Sequence, residues 1–234
     1  MLRGNEDEVK YGKVIPAEFL ARPNRFIAEV KTGGRIETVH VKNTGRCREL
    51  LVPGCRCYLH DSGNLSRKTR YDLIAVKKGD LLINMDSQIV NDAAEEFLKK
   101  GTLFPETAVI RRETVFGSSR FDFRIETGAR KIFLEAKGVT LENDGVVSFP
   151  DAPTERGVKH LDELVSALEQ GYESYLLFVV QMGNVRLFRP NDEADPAFGA
   201  ALRRAERAGV KILVMTCRVT PGSITVDAPL PMEL

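Results

Sequence analysis

From residue 25 to residue 85 apolar and polar residues alternate with a period near two, the pattern of half-buried strands. "RFIAEVKT" and "RIETVHVK" flank Gly33-Gly34, a hairpin signal. "RCYLHD", "RYDLIAVKK" and "LLINM" follow, separated by "SGN" and by Gly79-Asp80. Five short strands with few helical signals predict a small closed or partly closed β-barrel, of the oligonucleotide-binding (OB) type or the SH3-like type.

The period then changes. In "DSQIVNDAAEEFLKKG" residues Val90, Ala93, Ala94, Phe97 and Leu98 share one helical stripe, with Asp86 or Ser87 as N-cap and Gly101 beyond the last turn. "AVIRRETVF", "SRFDFRIET" and "KIFLEAKGV" read as three consecutive strands. "TERGVKHLDELVSALEQG" is a helix capped by Thr154 and closed by Gly171, and "YLLFVVQM" is a strand buried on both faces. "DPAFGAALRRAERAG" and "KILVMTCRV" add a helix and a strand. This order predicts a mixed α/β sheet sandwiched by helices. The chain therefore divides into a barrel domain, 1–85, and a mixed-sheet domain, 86–234.

Charge sharpens that division. The chain has 234 residues and a net charge of +1, but residues 1–85 hold 16 Lys/Arg against 10 Asp/Glu, about +6, leaving about −5 for the rest. A nucleic-acid partner would meet the basic first domain. No stretch is long and apolar enough for a membrane span, and "MLRGNEDEVK" lacks the apolar core of a signal peptide, so a cytoplasmic chain with no membrane contact is expected. Cys47, Cys55, Cys57 and Cys217 do not make a disulfide framework in such a chain. A zinc site from Cys47, Cys55, Cys57 and His60 is the alternative to ordinary buried thiols, against which the close spacing in "CRC" argues.

Chemistry concentrates on one strand. In "KIFLEAKGV" Ile132, Leu134 and Ala136 share one face, and Glu135 and Lys137 share the other with Phe133. Phe121 and Phe123 of the preceding strand should share a face, with Asp122 opposite. A two-residue turn at Gly128-Ala129 pairs residues whose numbers sum to 257, which sets Asp122 against Glu135. Two facing carboxylates repel unless a cation lies between them. Lys137 is one such cation and a divalent metal another; Mg²⁺ favours one or two carboxylates plus water and phosphate oxygens. The plain alternative is the solvated face of a hairpin with cross-strand ion pairs.

These residues, together with "HVKNTGRCREL", "SRFDF", "LEAKGVTL" and "FPDAPTERGVKHLDEL", closely resemble the sugar fermentation stimulation protein A family, from about Arg25 to the C-terminus. The resemblance implies an OB-like domain followed by a PD-(D/E)xK nuclease-like domain. It implies Asp122, Glu135 and Lys137 as catalytic residues, with Asp122, Glu135 and the backbone carbonyl of Ala136 as ligands of Mg²⁺ or Mn²⁺. Phe121-Asp122 stands where the signature has Pro-Asp. Asn91 and Glu96 match the family pattern on the first helix, and Glu96 is a further candidate metal ligand or simply an exposed helix acid.

Basic residues supply the candidate nucleic-acid contacts. Arg25, Lys42, Asn43, Arg46 and Arg48 cluster in the barrel domain, where Asn43-Thr44-Gly45 also reads as a plain turn. Arg156, Lys159 and His160 lie in the first turns of the Thr154-capped helix, placed to receive phosphate or to be solvated. DNA is the expected partner, with RNA and a second copy of the chain as further candidates. Two functions compete: a metal-dependent nuclease, and a non-catalytic DNA-binding regulator of sugar (maltose) metabolism, to which the family name points. Two carboxylates aimed at phosphate favour the nuclease, because they would only repel DNA in a simple binder.

Overall fold

A computed structural model describes residues 8–43, 45–64 and 66–234. The readings of the first seven residues and of Thr44 lie outside the described residues. The chain starts with β1 (Val9–Lys10), then runs through β2 (Val14–Asn24), β3 (Ile27–Thr32), β4 (Arg35–Val41), β5 (Arg56–Asp61), β6 (Tyr71–Lys78) and β7 (Leu81–Asn84). β2 pairs with β3 and β5, β3 with β4, and β5 with β6, all antiparallel. Parallel pairing of His40 with Asp72 and Val41 with Leu73 joins β4 to β6 and closes a five-stranded OB barrel. Phe19, Val30, Val39, Leu59 and Leu73 fill it and are fully buried.

The ring has the expected number of strands but not the expected members. Its first stave, β2, carries Pro16 and Pro23, which interrupt the β-rich alternation that marks strands in sequence. The predicted strand at 81–85 is β7, which adds to the outside of β6 and is not part of the closed ring.

The second part contains α1 (Ile89–Lys99), β8 (Val109–Phe116), β9 (Ser119–Thr127), β10 (Arg130–Val139), β11 (Leu141–Asn143), β12 (Val146–Phe149), α2 (Glu155–Glu169), β13 (Glu173–Val180), β14 (Leu187–Pro190), α3 (Pro196–Ala208), β15 (Lys211–Thr220) and β16 (Ser223–Pro229). Its main sheet has the order β1-β16-β15-β13-β10-β9-β8, with β10, β13 and β15 parallel and the outer strands antiparallel. β1 thus returns the start of the chain to this sheet. The short β11, β12 and β14 form a separate sheet that the sequence pattern missed.

Helices cover both faces. Tyr175, Leu177 and Val179 of β13 pack with Val90, Ala93 and Leu98 of α1, whereas Leu176, Phe178 and Val180 join the cluster containing Leu161 and Leu164 of α2 and Leu202 of α3. The α2 cap follows the sequence, Thr154 Oγ1 accepting from Gly157 N at 3.0 Å, and α3 is capped by Asp195 Oδ1, which accepts from Phe198 N at 3.0 Å. For α1 the N-cap is Gln88, with no side-chain cap bond; Asp86 accepts from Gln88 N at 2.8 Å and is otherwise occupied.

The barrel and the mixed sheet are joined by buried polar groups. Asn84 N donates to Gln181 O at 2.9 Å, and Gln181 Nε2 donates to Asn84 Oδ1 at 3.0 Å and to Asp86 O at 2.9 Å. Lys42 Nζ lies 3.5 Å from Asp72 and 3.3 Å from Asp86. Among the described residues no helix is long and apolar enough to cross a membrane. Among the described residues no group of three or more His, Cys, Asp or Glu side chains is arranged to hold a metal, and Cys47, Cys55, Cys57 and His60 form no such group. Burial pushes the Cys47 and Cys57 thiols up to about 12, as ordinary core cysteines.

Candidate active site

The β9–β10 hairpin sets the geometry. Gly128 takes φ +57° in the turn, and the register pairs Thr127 with Arg130 through to Phe123 with Leu134, every pair summing to 257. There the regular ladder stops. Asp122, next in line against Glu135, substitutes its side chain for the missing backbone partner: Ala136 N donates to Asp122 Oδ2 at 2.9 Å, and Asp122 N lies 3.4 Å from Glu135 Oε2. In β8 the residue that register would place opposite Asp122, Glu113, has φ +56°. The break also rolls the strand. Phe123 and Ile125 pack on the α1 side, but Phe121 stacks with Phe133 on the α2 side, ring centroids 5.0 Å apart, so the two phenylalanines do not share a face as the alternation predicts.

Each carboxylate is held by specific donors. Asn91 Nδ2 of α1 donates to Asp122 Oδ1 at 2.8 Å. Lys137 Nζ donates to Glu135 Oε1 at 2.5 Å, and His160 Nδ1 of α2 bonds the same oxygen. Arg156 Nε donates to His160 Nε2 at 3.3 Å, and His160 Nδ1 faces both Glu135 and, at 3.4 Å, Lys137 Nζ.

The two acids respond in opposite directions. Burial and the neighbouring Glu135 charge raise the Asp122 carboxyl above its ordinary range, against the bonds from Ala136 and Asn91. Burial works to raise Glu135 too, but the His160 bond and Lys137 outweigh it and hold the group below the usual value. Glu135 is only 2% exposed, and two carboxylates this close call for more cationic compensation than one lysine gives. Among the described residues Glu135 Oε2 meets only Asp122 N, at 3.4 Å, which leaves it free to ligate beside Asp122. Two carboxylates with spare lone pairs, completed by water and phosphate oxygens, fit a hard divalent cation and not a thiolate-seeking one.

The cleft, of about 400 Å³, is lined by Asn91, Asp122, Glu135, Ala136, Lys137 and Arg156 among others. Glu96 does not line it. Five helical residues beyond Asn91, or about 140° further round the axis, its carboxylate pairs with Lys100 at 2.7 Å on the side near Cys217. Asn91 is what α1 contributes. His160 is likewise corrected: it is 4% exposed and supports Glu135 instead of presenting itself to phosphate.

The predicted nucleic-acid residues separate into two kinds. Lys42 is committed to Asp72 and Asp86, and Asn43 spends its side chain on Met85 O and Gly45 N, so neither is available to track a backbone. Arg25, Arg46 and Arg48 are exposed and line a groove of about 650 Å³ between the barrel and the segment before α2. Arg156 and Lys159 are exposed beside the cleft. Two residues escaped sequence reasoning. Arg22 donates to the carbonyls of Arg25, Asn43, Gly45 and Arg46 at 2.7–2.8 Å, and Asp151 accepts from Arg46 N at 3.0 Å. An arginine bonded to carbonyls leaves no periodic trace in sequence.

Comparison with known proteins fits this architecture. Residues 88–223 match the family model described as the sugar fermentation stimulation protein RE domain, and residues 20–85 match the SfsA N-terminal OB domain. A sugar fermentation stimulation protein homolog of Desulfitobacterium hafniense is 55% identical over 92% of this chain and 94% of its own. One from Clostridium beijerinckii is 49% identical over 93% and 96%. Among solved structures, Pyrococcus furiosus SfsA in complex with Ca²⁺ superposes with a TM-score of 0.87 at 31% identity, covering 97% of this chain and 98% of that one.

Proposed function

The chain belongs to the sugar fermentation stimulation protein family, and on that premise we propose that it is a metal-dependent phosphodiesterase acting on nucleic acid, with Asp122, Glu135 and Lys137 as its working residues. The observation that carries this reading is the convergence of Asp122 and Glu135 at the end of the β9–β10 ladder with Lys137 Nζ 2.5 Å from Glu135. The Ca²⁺ in the similar Pyrococcus furiosus structure supports a hard divalent cation. In this chain the Asp122 and Glu135 oxygens and the Ala136 carbonyl are the groups that would hold Mg²⁺ or Mn²⁺.

Such an ion, when bound, makes water acidic enough to act as a nucleophile near neutral pH and offsets phosphoryl charge. The protein's own groups do the rest. Asn91 and Ala136 N fix the Asp122 carboxylate, His160 fixes Glu135, and Lys137 brings an ammonium to the cleft where charge develops on the phosphoryl oxygens. DNA is the substrate we assign, drawn to the exposed arginines of the barrel.

The test is a Mg²⁺- or Mn²⁺-supplemented cleavage assay on single-stranded, duplex and branched DNA and on RNA. Glu135→Gln and Lys137→Ala should each lower the rate by about 10² to 10³, the effect of losing a few kcal/mol of transition-state stabilisation. Binding in EDTA should survive both changes. Binding without cleavage by the unaltered chain would instead establish the regulator reading.

A further inference from the structure

Resting on the phosphodiesterase reading, we propose that the catalytic cleft is the middle of a cationic trough flanked on both sides, so that the chain takes a continuous polynucleotide strand and cuts it internally. One flank is the groove holding Arg25, Arg46 and Arg48. Phe149 and Thr154 line both that groove and the cleft, so the two are continuous. The other flank, of about 510 Å³, lies between the β8–β9 turn and α2 and carries Arg120, Arg156 and Lys159. Arg156 lines both this flank and the cleft. Each flank falls within the roughly 300–1,000 Å³ of ordinary ligand sites.

The two flanks meet phosphate differently. On the far side Arg120 pairs with Glu113 at 2.7 Å and Lys159 lies 3.9 Å from Glu163, solvent-exposed cations whose surface pairs a phosphate can displace at little cost, whereas the barrel side carries unpaired arginines. The side chains of Arg46 and Arg48 have no hydrogen bond or ion pair with any described residue, and Arg25 makes only a cation–π contact with the exposed Phe26. Like charges gathered without partners repel one another and favour a polyanion. Their platform is rigid, because Arg22 binds four carbonyls of the same loops and Arg46 N bonds Asp151 on the opposite wall. On the far side Lys159 Nζ reaches Ser118 O at 3.3 Å and ties α2 to the β8–β9 turn. An enzyme that recognises a strand end needs phosphate contacts on one side of the scissile bond only. Here charge stands on both sides, so the phosphates before and after that bond are held.

The reaction is hydrolysis: a water oxygen forms a bond to phosphorus, the P–O bond to one ester oxygen breaks, and that oxygen takes the proton. The products are two new strand ends, one a terminal phosphomonoester and the other a free hydroxyl. The experiment uses the full chain with Mn²⁺ on closed circular and linear DNA of one sequence, each single-stranded and duplex. The expected result is opening of a circle within about tenfold of the linear rate, with internal fragments appearing before mononucleotides. A circle left intact while its linear counterpart is shortened stepwise overturns internal cleavage but leaves the phosphodiesterase reading standing. No cleavage of any substrate overturns both.

Binding in EDTA gives an independent readout. Arg46→Ala with Arg48→Ala on one flank, and Arg120→Ala with Lys159→Ala on the other, should each reduce the salt dependence of binding to a 20-mer by about one unit of log–log slope per contact removed. A flank whose double variant leaves affinity and slope unchanged carries no strand, and the two-sided trough is then wrong.

Discussion

Replacing Arg22 by alanine should destabilise the protein by about 3 kcal/mol. One guanidinium donates four bonds of 2.7–2.8 Å, from Nη1 to the carbonyls of Gly45 and Arg46 and from Nη2 to those of Arg25 and Asn43. The bonds to Arg25 and Arg46 are exposed, and water replaces them on truncation. Those to Asn43 and Gly45 are part-buried. A hydrogen bond from a charged group contributes about 1.5–3 kcal/mol, so two that are only partly rehydrated give about 3 kcal/mol. For a chain of this size that is a fall in Tm of about 6–12 °C, read by calorimetry and cross-checked by the urea midpoint. Arg22→Lys should recover less than half, because a compact ammonium cannot reproduce the planar fork. A loss below about 1 kcal/mol for alanine, or full recovery with lysine, would refute the reasoning.

Other perturbations test other joints of the structure. In Gly138→Ala the new Cβ would stand 2.5 Å from Gln181 Oε1 and 2.7 Å from Val90 Cγ2, so thermal denaturation should show a loss of about 1–3 kcal/mol from overpacking. Asp195→Ala removes both the α3 cap and the bond from Thr154 N at 2.8 Å, and should lower stability by about 1–2 kcal/mol in denaturant titrations. The bonds from Arg130, then the pairing with Lys211, hold the Glu173 carboxyl at about 2. Its contribution is present above the ordinary glutamate value and lost as pH falls through about 2. The Tm difference between the unaltered chain and Glu173→Gln should therefore close as pH drops from about 5 to 2, and a pH-independent difference would disprove the pairing.

What the sequence disclosed divides along physical lines. The mixed sheet was legible because Tyr175–Val180 is apolar without interruption and because α2 carries its cap in view. The hairpin register was legible because a two-residue turn with Gly at its first position admits few alternatives. β2 was not, since Pro16 and Pro23 break the alternation in a strand whose buried positions, Ala17 and Phe19, are few. Lys42 and His160 read as surface charge because their partners, Asp72, Asp86 and Glu135, are distant in sequence. Glu96 matched a pattern by type, yet helix geometry turned Asn91 to Asp122 instead.

The candidate site follows from a conflict that the sheet does not resolve in favour of regularity. Continued pairing would give Ala136 N a backbone acceptor and keep Phe121 and Phe123 on one face. It would also set Asp122 and Glu135 side by side as a plain cross-strand pair, with like charges opposed. The strand instead departs after Phe123, and Asp122 Oδ2 takes the Ala136 donor while Phe121 crosses to stack on Phe133. Ala136 N keeps an acceptor through this exchange, so the departure costs no hydrogen bond at that donor. Its remaining cost is electrostatic, and it appears as the raised Asp122 pKa. A fold shaped for stability alone would place a neutral side chain at 122. An acid kept there at that cost is what a bound cation would offset, and for that reason the carboxylate pair, more than any single residue, is the observation on which the proposed phosphodiesterase site rests.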